Sequence, residues 1–252
     1  VIASLPMYDR PSTATANDLF WATIRDALRA AGRPAPQALS RDGDVWAQWT
    51  APDLVLSQTC GMPYRTRLHG RVALVGTPDY GLADCPPGHY RSRIVVRADD
   101  PRETLAAFHG ARLAINAADS QSGWAALANH APGLVWSSVA VTGAHALSAA
   151  AVAAGQADLA AVDAVSWALF EAEGAAAGLR VLASTPATPG LPLIAAPGSA
   201  TEPLAEAVAA AIAALPEDTR ARLRLRGLVR LPPECYLAVP TPPPPARFVR
   251  AA

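Results

Sequence analysis

The residues best equipped for chemistry lie in a few short polar stretches. Asp119-Ser120-Gln121-Ser122-Gly123 reads as the opening of a helix that runs to about His130. The first N–H groups of a helix have no internal partner and carry partial positive charge, so they can cradle an anion. The hydroxyls of Ser120 and Ser122 and the amide of Gln121 add donors, and Gly123 leaves room for a ligand to approach the backbone. The same residues also read as an ordinary helix start, with Asp119 or Ser120 as the capping side chain. Ser57-Gln58-Thr59 follows the apolar run Asp53–Leu56 and either faces a cleft or forms a plain polar turn. Tyr8, just after the first apolar strand, offers a donor and an aromatic wall, or is a simple packing residue. Asp163 follows Leu159–Val162, at the carboxyl edge of a strand where α/β sheets place ligands, or else caps the helix from Ala164.

Other chemistries find no support. All 21 basic residues are arginine, so there is no lysine for a pyridoxal Schiff base or a phosphate-reading P-loop. The five histidines (69, 89, 109, 130 and 145) form no metal-ligand spacing, and Cys60, Cys85 and Cys235 form no Cys-x-x-Cys pair. Cys60 and Cys85 could pair in an oxidising compartment; Cys60 before Gly61 reads as a buried or paired thiol rather than a nucleophile. No Gly-x-Ser-x-Gly elbow is present. Ser120 or Ser122 with a distant His and Asp could be drawn as a triad, as in almost any chain. The 21 basic residues balance 21 acidic ones and no basic stripe with interleaved aromatics is visible, so nucleic acid is not an expected partner. The one basic cluster, Arg220, Arg222, Arg224, Arg226 and Arg230, reads as a solvated helix face.

Patterning supplies the elements that must position these groups. Val1–Leu5 is a short strand, and residues 12–31 form an amphipathic helix with Leu19, Phe20, Ile24, Ala27 and Leu28 on its apolar side, stopped at Gly32. Strands follow at 53–56 and 71–76. From about 92 to 185 strands and helices alternate regularly: strand 90–97, helix 100–108, strand 112–115, helix 119–130, strand 135–141, helix 145–154, strand 158–162, helix 164–173 and strand 180–183. Such arrays prefer a parallel sheet. Thr185–Gly190 is a linker; a strand at 191–196 and helices at 202–215 and 218–225 lead to a proline-rich end, residues 240–245. The fold class is α/β. Two lobes are expected, 1–91 with 187–252 and an inserted 92–186, joined by two crossing strands that act as a hinge, with a ligand cleft between the lobes.

Five stretches carry a family likeness: Leu5-Pro6-Met7-Tyr8-Asp9; Leu56-Ser57-Gln58-Thr59-Cys60-Gly61-Met62-Pro63-Tyr64; Tyr90 to Arg97; Asn116 to Trp124; and Gly143-Ala144-His145 with Ala153 to Asp163. Over residues 1–200 the chain resembles the phosphate, phosphite and phosphonate binding proteins of ABC importers. The resemblance implies a type II periplasmic-binding fold that closes on an oxyanion. It implies ligand contacts from Ser120, Gln121, Ser122, Gly123, His145 and Asp163 in one lobe and from Tyr8, Ser57, Gln58, Thr59 and Tyr64 in the other. A carboxylate at 163 would suit a ligand bearing an amine or an acidic hydroxyl. Trp124 and Trp167 read as core residues or pocket walls.

The expected function is therefore solute capture for an ABC importer by a monomer that works with a membrane permease. No enzyme activity, cofactor, metal or nucleic acid is expected. The competing reading is a cytoplasmic sensor or carrier of the same fold for a small organic or zwitterionic molecule. No charged and apolar leader precedes Val1, so a periplasmic location requires that a signal peptide has been removed.

Overall fold

In the computed structural model, residues 1–250 are described. Among the described residues twelve strands are interspersed with helices: β1 (Ile2–Ser4), β2 (Leu54–Gln58), β3 (Ala73–Asp79), β4 (His89–Tyr90), β5 (Ser92–Arg97), β6 (Arg112–Ile115), β7 (Ser138–Val141), β8 (Leu159–Asp163), β9 (Leu179–Ser184), β10 (Thr188–Pro189), β11 (Leu193–Ala195) and β12 (Gly227–Val229). The chain forms two compact units, Val1–His89 with Pro189–Ala238, and Tyr90–Thr188 with the segment that begins at Val239. The short strands β4 and β10, where the chain passes from one unit to the other, form a two-stranded sheet of their own. No helix is long and apolar enough to cross a membrane among the described residues.

The first unit holds a sheet in the order β1-β2-β11-β3-β12, with β1 and β2 parallel and β11 antiparallel to both its neighbours. The helix Ala14–Ala30 buries Ala16, Asn17, Phe20, Trp21, Ile24 and Leu28, spaced by three and four as one helical face requires. Leu19 and Ala27, expected on that face, point to solvent, because the stripe is centred one position later. Two helical stretches escape the sequence pattern. Val45–Trp49 is only five residues long, and Asp44 caps it by accepting from the N–H groups of Trp46 and Ala47. Residues 61–68 form a tight turn that widens at Tyr64–Leu68. Among the described residues Cys60, Cys85 and Cys235 form no disulfide.

The second unit has the sheet order β7-β6-β8-β5-β9. Its central strands are covered on both faces, which explains their unbroken apolar runs. Ile94, Val96, Leu159 and Ala161 face a core with Trp124, Leu127 and Trp136. Val95, Ala160 and Val162 face the opposite core with Val152, Trp167 and Phe170. β6, β7 and β8 are parallel, but β5 runs antiparallel to β8 and β9, unlike the all-parallel array expected. The cause is where the chain enters and leaves. Ser92 at the start of β5 pairs with Asp163 at the end of β8, and Thr185, just after β9, donates its N–H to the Ser92 carbonyl. A strand that begins at the carboxyl edge of its neighbours has to run against them.

Two further expectations change. Residues 100–108 are a loop with one 3₁₀ turn at Leu105–Phe108, because the buried Asp100 carboxylate is taken by Arg102, whose Nε and Nη2 donate at 2.9 and 2.6 Å. That pairing holds the Asp100 pKa down to about 2. The proline-rich end, expected in the lobe built from residues 1–91, packs on the second unit instead. Trp124 Nε1 donates to the Pro243 carbonyl, Asn129 Nδ2 to the Pro240 carbonyl, and the Trp136 N–H to the Phe248 carbonyl. A chain with five prolines between 240 and 245 donates few N–H groups of its own, so it docks through carbonyls. The Phe248 ring seats edge-on against Trp124, with centroids 5.1 Å apart. Phe248→Ala is therefore expected to cost about 1–3 kcal/mol, read as a lower urea midpoint; an unchanged midpoint would show that the tail adds nothing to the fold.

Candidate functional site

The second unit gathers most of the sequence-derived candidates at the carboxyl edge of β6 and β8. The helical segment Gln121–His130 opens on a wide first turn, in which the Ala125 N–H reaches back to the Ser120 carbonyl. Ser120, not Asp119, caps it: Ser120 Oγ accepts the Gly123 N–H at 3.0 Å. Wide turns of this type let the opening N–H groups spread, and they recur at binding sites. Ser120, Gln121 and Ser122 are all buried.

Gly123 is required for a different reason from the one expected. A Cβ there would lie 1.8 Å from Asn116 Oδ1, so the glycine makes room for a neighbouring amide rather than for a ligand. Asn116 lies one residue beyond β6, and its buried Oδ1 has no hydrogen-bond partner. It joins the candidates, and its signal in the sequence was a polar residue directly after an apolar strand.

Ser122, His145 and Asp163 come from three different elements and meet. Ser122 Oγ lies 2.8 Å from His145 Nε2, and Asp163 Oδ2 lies 3.5 Å from that same nitrogen. The other Asp163 oxygen accepts the N–H groups of Val165 and Ser166, at 3.0 and 2.8 Å, and caps the helix Ala164–Glu173. Both readings of Asp163 thus hold at once, with one carboxylate oxygen for each. A carboxylate facing Nε2 favours the tautomer that carries its proton there. In that tautomer Nε2–H donates to Ser122 Oγ and leaves the serine hydroxyl proton for another acceptor; in the other, the Ser122 hydroxyl donates to Nε2. Burial lowers the His145 pKa, against the opposing pull of the Asp163 carboxylate and the Ala161 carbonyl. The ring is neutral at pH 7.

These three residues do not form a catalytic triad. In a triad the serine and the carboxylate address opposite ring nitrogens, so that the base can take the serine proton while the acid holds the other side. Here both address Nε2, and Nδ1 is buried with no well-directed partner. With Nε2 protonated, the serine offers its hydroxyl proton to another group rather than to the ring. No group of three potential metal ligands exists among the described residues.

The first unit sorts its candidates differently. Gln58 Nε2 donates to the Tyr80 hydroxyl at 2.8 Å, and Tyr8 packs edge-on against Tyr80 at 5.1 Å. With Leu5, Asn17 and Phe20 they line one small pocket. Tyr80, directly after β3, is a second residue missed in the sequence, although it repeats the strand-then-tyrosine pattern of Tyr8. Thr59 donates its N–H to the Pro192 carbonyl, while its buried Oγ1 has no partner. Ser57 Oγ instead bonds Ser4 Oγ at 2.7 Å and ties β2 to β1. Tyr64 is packed in the core against Tyr236, Leu54 and Ile194, and burial raises its pKa to about 12. Trp124 and Trp167 are likewise core residues.

Residues 64–231 match the family model described as the periplasmic substrate-binding protein of phosphonate ABC transporters. No curated protein matches by sequence. Among solved structures, the chain is similar to a Prochlorococcus marinus phosphonate-binding protein in complex with methylphosphonate (TM-score 0.69, 14% identity, 93% of this chain and 94% of that one). It is also similar to a Xanthomonas citri protein bound to chloride ion (TM-score 0.69, 16% identity, 93% and 92%). A third is the binding-protein component of an ABC phosphonate transporter from Pseudomonas aeruginosa (TM-score 0.65, 15% identity, 90% and 80%). These likenesses fix the type II periplasmic-binding fold, and the family match covers most of the chain: the protein belongs to the periplasmic substrate-binding proteins of phosphonate ABC transporters.

Proposed function

We propose that the protein captures a small phosphonate-like oxyanion in the periplasm and delivers it to the membrane permease of an ABC importer, without chemical change. The observation that carries this reading is the Ser122–His145 pair. Nε2–H fixes the serine oxygen, so the hydroxyl proton is presented to an incoming acceptor beside the N–H groups of the helix start. The ligand oxygens are assigned to the Ser122 hydroxyl, the backbone N–H at the Gln121–Ser122 turn and the Asn116 amide N–H, since the Gly123 N–H is taken by Ser120 Oγ. In the other unit Tyr8, Gln58 and Thr59 are the proposed contacts; Ser57 and Tyr64 are assigned to packing. Asp163 acts through His145, and its charge is spread over two backbone N–H groups, so it does not repel the anion at full strength.

Calorimetric titration with methylphosphonate, phosphate and phosphite tests this. Ser122→Ala should weaken the best of these ligands by about tenfold or more while the melting temperature stays within a few degrees, since one charge-assisted donor is lost. An unchanged affinity would remove the anion site from this helix. Asp163→Asn keeps a capping oxygen and should weaken binding with little loss of stability, whereas Asp163→Ala also loses the cap at about 0.5–2 kcal/mol.

The buried His145 supplies a second test. Its folded-state pKa lies below that of the unfolded chain, so below about pH 6.5 the unfolded state takes up a proton that the native state refuses. Its contribution to stability is complete above that pH and is lost as pH falls through the folded pKa. The ligand-free protein should lose stability between pH 7 and 5, and His145→Gln should flatten that part of the curve. Parallel curves for the two proteins would contradict the buried neutral imidazole.

A further inference from the structure

The basic cluster near the carboxyl end does not lie on one helix face. Arg222 reaches the Ser12 carbonyl and Arg230 pairs with Glu202, but Arg220, Arg224 and Arg226 turn to a common cavity of about 520 Å³ walled also by Tyr80 and Gly81. Each of the three guanidinium groups is without a carboxylate partner, and the cavity's one acid, Glu217, pairs with none of them among the described residues. The Nε of Arg224 is withdrawn from solvent and has no hydrogen-bond partner at all. Convergent like charges repel one another, so their meeting here has a cost that a bound anion would offset.

Two backbone features hold them there. Arg224 is the one non-glycine residue with positive φ among the described residues, at 56°, and ends the helix Glu217–Leu223. Glycine or asparagine is the usual occupant of such a position, so an arginine kept in it is a reason to look for a use of its side chain. Gly81, also at positive φ, lies under the Arg226 side chain: a Cβ there would come within 2.1 Å of Arg226 Nε. The loop after β3 is thus shaped to let Arg226 lie across it.

We propose that this cavity is a second anion site, built from the first unit alone, for ligands carrying two adjacent phosphate groups. Three arginines oppose one glutamate, which leaves two positive charges to be neutralised, and guanidinium forks match phosphate oxygens two at a time. A single phosphate satisfies fewer of these donors than a diphosphate does. Tyr80 and Leu225 supply an apolar wall against which an organic group on the diphosphate can rest.

The experiment weakens the oxyanion site proposed above and titrates the arginine cavity against that background. In a Ser122→Ala background, inorganic pyrophosphate should bind with one equivalent per chain, more tightly than orthophosphate, and more weakly as salt is raised. Adding Arg220→Ala and Arg224→Gly should weaken pyrophosphate by about tenfold or more; glycine suits the positive φ, so this variant keeps its fold, which a thermal melt checks. Arg220→Gln with Arg226→Gln leaves position 224 untouched and should give the same loss. In the otherwise native chain these arginine changes should leave methylphosphonate binding as it was. ADP compared with pyrophosphate separates two sources of the same chemistry: tighter ADP binding assigns an organic diphosphate, and equal binding assigns the phosphates alone. Absence of pyrophosphate binding in the Ser122→Ala protein, or equal affinity with and without the arginines, would overturn the proposal.

Discussion

A carboxylate with almost no contact with water must have its oxygens filled by donors, and Asp163 is such a group at 3% exposure. Its two oxygens divide the work. One accepts two N–H groups and starts the helix Ala164–Glu173; the other faces His145 Nε2 and favours a proton on that nitrogen. Through that ring it orients Ser122, and through its place at the end of β8 it is paired with Ser92 at the start of β5. Ser92 Oγ in turn donates to the Ser122 carbonyl, which closes the circuit around the wide helical turn. Strand end, helix start, histidine and Ser122 therefore share one buried charge.

The same edge explains what could be read from the sequence and what could not. Asp163, Ser120 and Ser122 were legible because each stands at a junction where a strand ends or a helix begins, and such junctions have local signatures. Alternation within β5 and β8 revealed strands but not their directions. β5 is reversed because both chain crossings sit at one edge, a long-range condition that no local pattern carries. Ser57 and Tyr64 show the converse limit. A polar residue after an apolar run and an aromatic residue near a turn look the same whether they face a ligand or a neighbour, and here Ser4 and Tyr236 claim them. The docking of the tail was equally hidden, since its partners lie more than 100 residues away.

The meeting of a serine, a histidine and an aspartate also shows why residue types alone do not decide between binding and catalysis. The distances would suit either. What separates them is which nitrogen each partner addresses. With serine and carboxylate on the same nitrogen, no carboxylate holds the other side of the ring as a triad requires, and a ring protonated at Nε2 donates to the serine instead of taking its proton. The lowered pKa of the ring reinforces this, because burial keeps it from carrying the charge that a base would acquire in turnover.

The arginine cluster makes a related point about position. Reading residues 220–226 as a solvated face assumes that the helix continues through Leu225, in which case side chains two apart diverge by about 200° and cannot meet. The helix instead stops at Leu223, and the positive φ of Arg224 turns the chain before Arg226 enters the run to β12. The Arg226 N–H is then fixed to the Asp79 carbonyl at the end of β3, beside Gly81. Two residues' difference in where a short helix ends thus converts a diverging set of charges into a converging one. A left-handed arginine is a poor choice for ending a helix, and ligand contact by its side chain supplies the compensation that the turn itself does not.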